Sequence, residues 1–215
     1  MSGRGVCYAV WGDAVHFDRA RRAAGYARRA GHATCLVSDD AAAAASFDRY
    51  VPAPADWLGL RGLYRKYAAL ALSPFAVTLL TDSDLLVTGG MNLAFDGAGR
   101  WGLALAYAPG QVIEWGGREW PHYNTGLVGF RGNPADLIGT VLDYKARIGS
   151  ADHDDEAAFS VGVHDTGRAV FALPSVFNLV ASGWVHPRKV RGWHSHHPPQ
   201  SHLVSVLDAP DACLA

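Results

Sequence analysis

A chain of 215 residues, 49% of them hydrophobic, can bury the core of one compact domain and is too apolar to be disordered. Nineteen Lys and Arg against twenty Asp and Glu leave a formal charge of -1, which offers no field to gather nucleic acid. Three cysteines, Cys7, Cys35 and Cys213, form no CxxC pair, so they argue against a zinc ribbon or a disulfide framework and are expected to be buried thiols. The opening segment, MSGRGVCYAVWGD, has no cationic stretch leading into a long apolar run, and the longest apolar stretch, residues 68–80, is broken at Ser73-Pro74. A cytoplasmic chain with no membrane span is therefore expected.

In chain order, residues 5–10 are short and apolar and end at Gly12-Asp13, which predicts a buried strand and a loop. Residues 17–30 carry Ala, Arg and Tyr at helical spacing and stop at Gly31; residues 34–37 are a second apolar run ending in Ser38-Asp39-Asp40. Strand, helix and strand in this order predict a βαβ unit with parallel pairing and a right-handed crossover. The alanine run at 41–45 fits a helix start or a loop equally, and Pro52 to Pro54 marks a loop. Helical spacing returns over 60–72 and ends at Ser73-Pro74, because proline disfavours helix at the residue before it. Residues 75–80 form a continuous apolar strand, Asp82-Ser83-Asp84 follows at once, and apolar character resumes over 85–87. Beyond Gly89-Gly90, strands are expected at 101–107 and 126–130, a helix at 134–147 with Asn133 as N-cap, a short helix at 156–161, and a strand at 169–173. The tail from Gly183 reads as loop, rich in His, Trp and Pro, and no internal repeat is present. The pattern implies one α/β domain with a Rossmann-like, mostly parallel sheet flanked by helices.

Asp82-Ser83-Asp84 carries the chemistry. In an open α/β sheet, ligands sit outside the carboxyl ends of the strands. Two carboxylates one residue apart at such an end can reach one hard cation, Mg²⁺ or Mn²⁺, and leave positions open for phosphate oxygens. A turn with two solvated aspartates is the plainer alternative. His194, His196, His197 and His202 crowd the tail. An imidazole beside two carboxylates suits Mn²⁺. His194 follows the apolar-basic stretch 189–193, which suits a strand end, and His196 would share its face in extended backbone. A His-rich tail with adventitious metal affinity is the alternative.

The run from Lys66 through Ser73-Pro74-Phe75 to Asp82-Ser83-Asp84 resembles the metal-site region of GT-A glycosyltransferases. The stretch His122-Tyr123-Asn124-Thr125-Gly126 is similar to the Asn-Ser/Thr-Gly strand of those enzymes. Asp155-Glu156-Ala157-Ala158-Phe159, followed by Leu173-Pro174 and Phe177-Asn178, is similar to their acidic helix and later Leu-Pro…Asn loop. The order of these stretches over roughly residues 5 to 200 resembles in particular the glycogenin-like, sugar-retaining (family 8-type) group. The resemblance implies a hexosyltransferase using a nucleotide sugar, UDP-linked, with Mn²⁺ or Mg²⁺, and an acceptor that is a sugar, a protein or a small molecule. It implies a nucleotide-binding half over about residues 1–100 and an acceptor-facing half over about 101–215.

The same resemblance places Val10, Trp11, Gly12 and Asp13 in the loop that cradles the base and ribose. It implies donor contacts for Lys66, Asp82, Ser83, Thr125 and Gly126. Asp82 and Asp84 would be the metal carboxylates, completed by His194 or His196. Asn124 would bind the donor sugar or the acceptor, and Asp155 would lie near the reacting carbon, with Asp152, Asp154 and Glu156 as rivals. Plainer roles remain open for each: Lys66 as a solvated helix lysine, Asn124 as a turn residue, and the acidic run as a helix start using the dipole. Trp115, Trp120, Trp184 and Trp193 suit either sugar stacking or packing. Two other functions are compatible with an Asp-x-Asp motif. One is a haloacid-dehalogenase-like phosphohydrolase, although Leu86 stands where that group prefers Thr or Val. The other is a sugar-nucleotide-binding protein without turnover.

Overall fold

The computed structural model describes residues 3–54, 64–87, 89–148, 155–180 and 191–194. Strand β1 (Arg4–Ala9) pairs in parallel with β2 (Ala33–Ser38) on one side and with β4 (Val77–Thr81) on the other. Their central residues are buried, as parallel strands covered on both faces must be. Helix α1 (Ala14–Arg29) makes the first crossover and stops at Gly31, whose φ of +82° only glycine adopts freely.

The alanine run is a 3₁₀ segment, Ala41–Ser46, with Asp40 capping it through the Ala42 N–H at 2.8 Å. The loop expected at Pro52 to Pro54 begins one residue late. Pro52 closes strand β3 (Arg49–Pro52), which lies at the sheet edge, where a missing N–H costs no ladder bond. Helix α2 (Arg65–Leu72) ends at Ser73-Pro74 as expected, and residues 60–63 of the expected helix lie outside the described residues. Phe75 precedes β4 and packs against β1: a Cβ on Gly5 would meet the Phe75 ring at 2.3 Å.

Between β5 and β7, two elements differ from expectation. Helix α3 (Asn92–Trp101) follows the short strand β5 (Leu85–Val87) and takes Trp101 out of the expected strand. Gly97 and Gly99 weaken its helical signal. Gly97 is needed because a Cβ there would lie 2.3 Å from the Phe171 ring. The strands expected at 101–107 and 126–130 are parts of one long hairpin, β6 (Leu103–Trp115) and β7 (Arg118–Arg131). Gly116 and Gly117, both at positive φ, close it as a two-residue turn.

Helices α4 (Ala135–Ile148) and α5 (Asp155–Asp165) then precede β8 (Val170–Leu173), which pairs in parallel with β6. The large sheet has the order β3-β2-β1-β4-β7-β6-β8, with β7 antiparallel to both its neighbours. Two cores cover its faces. One holds Phe17, Ala20, Phe95 and Ala98 from α1 and α3; the other holds Tyr67, Leu70, Leu137, Val141 and Phe159 from α2, α4 and α5. Cys7 and Cys35 are register partners on β1 and β2, buried and unbridged as expected, and Cys213 lies outside the described residues.

A second, small sheet has the order β5-β10-β9, where β9 is Leu179–Val180 and β10 is Gly192–His194. The part of the tail that is described is therefore strand rather than loop. Gly192 allows it to dock, since a Cβ would stand 2.1 Å from the Phe177 carbonyl oxygen. No helix among the described residues is long and apolar enough to cross a membrane.

Candidate active site

The chain leaves β1 toward β2 on one side and returns through β3 and α2 to β4 on the other. The carboxyl ends of β1 and β4 thus flank the point where strand order reverses, the place where open α/β sheets hold ligands. Tyr8 and Thr81 are register partners there. Val10-Trp11-Gly12-Asp13 and Asp82-Ser83-Asp84, far apart in sequence, consequently leave the sheet side by side.

The loop after β1 is built for backbone access. Val10 is core, with its N–H on the Val37 carbonyl at 3.1 Å, while Gly12 at φ +87° and Asp13 are exposed. Half-buried Trp11 carries an Nε1–H that is buried and has no hydrogen-bond partner among the described residues.

After β4, the chain turns sharply. The Asp82 N–H donates to the Gly126 carbonyl at 3.0 Å, and the Leu85 N–H donates to the Asp82 carbonyl at 3.1 Å. Asp82, Ser83 and Asp84 are all half-buried. Strand β10 runs antiparallel to β5 with His194 opposite Leu85, which places the His194 backbone beside the residue that follows Asp84. His196, like Asp152, Asp154 and Trp184, lies outside the described residues. Among the described residues, no three His, Cys, Asp or Glu side chains gather as a metal-binding group. Two carboxylates at one turn still form an oxygen donor set, which suits Mg²⁺ and Mn²⁺.

Lys66 enters from α2 and is already engaged. Its Nζ lies 3.2 Å from Asp82 Oδ1, 3.0 Å from Asp155 Oδ2 and 3.0 Å from Thr125 Oγ1, one acceptor for each N–H. Its side chain is 11% exposed and that of Asp155 is 5% exposed. Burial alone would lower the lysine pKa, but the two carboxylates outweigh it and hold the ammonium well above the ordinary value. The buried Tyr67 hydroxyl donates to Asp155 Oδ2 at 2.8 Å, and the Tyr67 ring stacks on Phe159 at 5.0 Å. Burial first, and then the Asp155 charge, push the Tyr67 phenol up. Asp155, at the start of α5, is thus locked to α2 through Oδ2, and each Lys66 N–H has an acceptor within this group.

Strand β7 is irregular beside this knot. Leu105 pairs with Val128 and Ala106 pairs with Asn124, so Thr125, Gly126 and Leu127 bulge out of the β6 ladder. Their freed backbone groups are met by side chains. The Thr125 N–H donates to Glu156 Oε1 at 3.0 Å, and the Gly126 N–H donates to Asn124 Oδ1 at 2.9 Å. Thr125 and Gly126 therefore serve the internal network. The Asn178 amide also donates to Asn124 Oδ1.

The tryptophans divide. Trp115 packs edge-on against Tyr144, and Trp120 stacks on His164 at 4.5 Å, so both serve packing in the hairpin; Trp193 is the middle residue of β10. Reading residues alone missed three members of the site: Tyr67, Glu156 as a backbone partner, and Asn178. Tyr67 adjoins Lys66 and carried no separate signal. Glu156 stood as a rival to Asp155, and Asn178 stood in the Leu-Pro…Asn stretch without a role.

Solved structures share this architecture. The galactosyltransferase LgtC, in complex with donor and acceptor sugar analogs, superimposes with a TM-score of 0.62 at 16% identity, over 99% of this chain and 95% of that one. The chain has the GT-A fold. The glycosyltransferase GlyE of Streptococcus pneumoniae TIGR4 matches with a TM-score of 0.58 at 16% identity, over 83% of this chain and 47% of that one. A glycosyltransferase involved in glycosylation of the major capsid of PBCV-1 matches at 0.54 and 10% identity, over 97% and 98% of the two chains. No family model matches the sequence, and no curated protein matches it. The expected mostly parallel sheet flanked by helices is thus the one found, within the GT-A fold.

Proposed function

We propose that the chain is a metal-dependent glycosyltransferase that moves a hexose from a UDP-sugar to the hydroxyl of an acceptor. One observation carries this reading: Asp82-Ser83-Asp84 leaves β4 at the switch point, beside the β1 loop, in a fold that solved glycosyltransferases share. Asp82 and Asp84 would hold Mn²⁺ or Mg²⁺. His194, whose backbone lies opposite Leu85, is the candidate third ligand, with His196 as the alternative. When bound, the cation supplies positive charge against the diphosphate leaving group.

The chain's own residues do the rest. Gly12 leaves the loop after β1 open to the nucleotide, and the unpartnered Trp11 Nε1–H is a donor for it. The Lys66 ammonium fixes Asp82 from the protein side through Oδ1. Asn124 contributes amide hydrogen bonds to a sugar. Asp155 acts by positioning Lys66, and through it Asp82. The transition state is oxocarbenium-like, so stabilising the departing diphosphate is the main demand on the site. Retention of configuration is the outcome the likeness to glycogenin-like enzymes implies.

Turnover tests the reading. UDP release from UDP-glucose and UDP-galactose, over a panel of saccharide acceptors with Mn²⁺, is expected in the wild type. It is expected to fall at least a hundredfold in Asp84→Ala, from the loss of leaving-group stabilisation. Donor binding without release across the whole panel would make the chain a non-catalytic sugar-nucleotide binder.

A further inference from the structure

Asn124 and Asn178 come from segments 54 positions apart and meet amide to amide at the site. The orientation of each amide is fixed. Asn124 Oδ1 accepts the Gly126 N–H at 2.9 Å, so this amide cannot be turned without setting an NH₂ against an N–H. Asn178 Nδ2 donates to the same oxygen, and turning that amide would oppose two acceptors.

What remains is one unused acceptor and one unused donor. Asn178 is 5% exposed, and its Oδ1 is buried with no hydrogen-bond partner among the described residues. Asn124 Oδ1 is doubly occupied, while its Nδ2 makes no hydrogen bond among the described residues. Native interiors rarely leave a buried carbonyl unpaired, because the loss of hydration is not repaid. The pair lies against the reaction centre: Thr125, next along β7, touches Lys66, and Asn178 leads into β9 of the small sheet that also carries the segment after Asp84.

We propose that Asn178 is a specificity-determining residue, which with Asn124 reads a single sugar hydroxyl; this rests on the glycosyltransferase reading above. A hydroxyl both donates and accepts, so it satisfies Asn178 Oδ1 and Asn124 Nδ2 together. A phosphate or carboxylate oxygen cannot supply the donor, and an ammonium cannot supply the acceptor. The hydroxyl belongs to a saccharide, on the donor or on the acceptor. The local build explains why the pair exists. The β7 bulge frees the Gly126 N–H that pins Asn124, and the 3₁₀ turn Ser175–Phe177 holds the Asn178 N–H on the Ser175 carbonyl at 3.1 Å.

The test uses the full chain with Asn178→Ala and the similarly sized Asn178→Leu, both of which remove the acceptor proposed to read the hydroxyl. Calorimetry with Mn²⁺ compares UDP, UDP-glucose and UDP-galactose, and a turnover assay gives the acceptor KM. A donor hydroxyl predicts unchanged UDP affinity in both variants, about tenfold weaker binding of the preferred UDP-sugar, and a flattened preference between the two hexoses. An acceptor hydroxyl predicts unchanged UDP and UDP-sugar affinity, with the acceptor KM raised about tenfold at a retained kcat. Parallel loss of UDP and UDP-sugar binding would make the pair structural and overturn the proposal, as would no change in any of these. Wild-type protein that binds neither UDP nor UDP-sugars would overturn the glycosyltransferase reading and this proposal with it.

Discussion

Thr125 and Asn124 are neighbours on β7, yet the networks they join are finished to different standards. Thr125 belongs to the Lys66 knot, where three N–H donors meet three acceptors and the Tyr67 hydroxyl donates to the same Asp155 oxygen that Lys66 contacts. Asn124 belongs to a pair that, among the described residues, leaves a buried carbonyl and an amide without a partner. A saturated buried network stabilises one arrangement and has nothing left to offer a ligand. An unsaturated one costs stability in the free protein and regains it on binding. The knot is therefore the frame of the site and the asparagine pair is one of its reading edges.

That contrast can be broken by mutation. Lys66→Met leaves Asp155 buried beside Asp82 without a counter-charge. Breaking a buried pair in this way costs about 3–5 kcal/mol, so a fall in thermal midpoint of about 10 °C is expected by calorimetry. A midpoint within 2 °C of wild type, on the order of the scatter for a surface substitution, would remove Lys66 from the frame. Tyr67→Phe removes one donor to Asp155 and is expected to cost about 1–3 kcal/mol, a fall of roughly 5 °C. Asn178→Ala, on the other side of the contrast, should move the ligand-free midpoint least of the three.

The alkaline limb sharpens the same point with a smaller effect. Lys66 in the folded chain holds its proton above the ordinary value of 10.5, and Tyr8 and Tyr67 hold theirs above 10.0. Between those values and the higher folded ones, the folded state binds more protons than the unfolded state, so stability falls as pH rises. The lysine's contribution is complete below pH 10.5 and is lost above it. Denaturant melts from pH 8 to pH 11 should show a steeper loss in wild type than in Lys66→Met. Parallel curves would deny the knot its electrostatic role.

Much of the frame was legible because buried parallel strands read as continuous apolar runs: β1, β2 and β4 fall within two residues of expectation. His194 was recognisable as a strand end from the apolar-basic residues before it. Helix α3 was hidden by Gly97 and Gly99, which propensity counts against a helix; packing against Phe171 explains the first of them. The hairpin was read as two fragments because Pro109, Gly110 and Pro121 interrupt the alternation that its length would otherwise show. Lys66, Asp82 and Asp155 each stood out as single candidates, but their union is tertiary, and no spacing rule joins residues 66, 82 and 155. Asn178 gained meaning from a bulge at residues 125–127, which is a property of strand register and not of local sequence.

Calorimetry of UDP against the wild-type chain tests the proposed metal-assisted diphosphate site at the end of β4 most directly. Binding is expected in Mn²⁺, removed by EDTA and weakened about a hundredfold in Asp84→Ala, with the fold of the variant intact by its thermal midpoint. Equal affinity with and without Mn²⁺, or full affinity in Asp84→Ala, would contradict it.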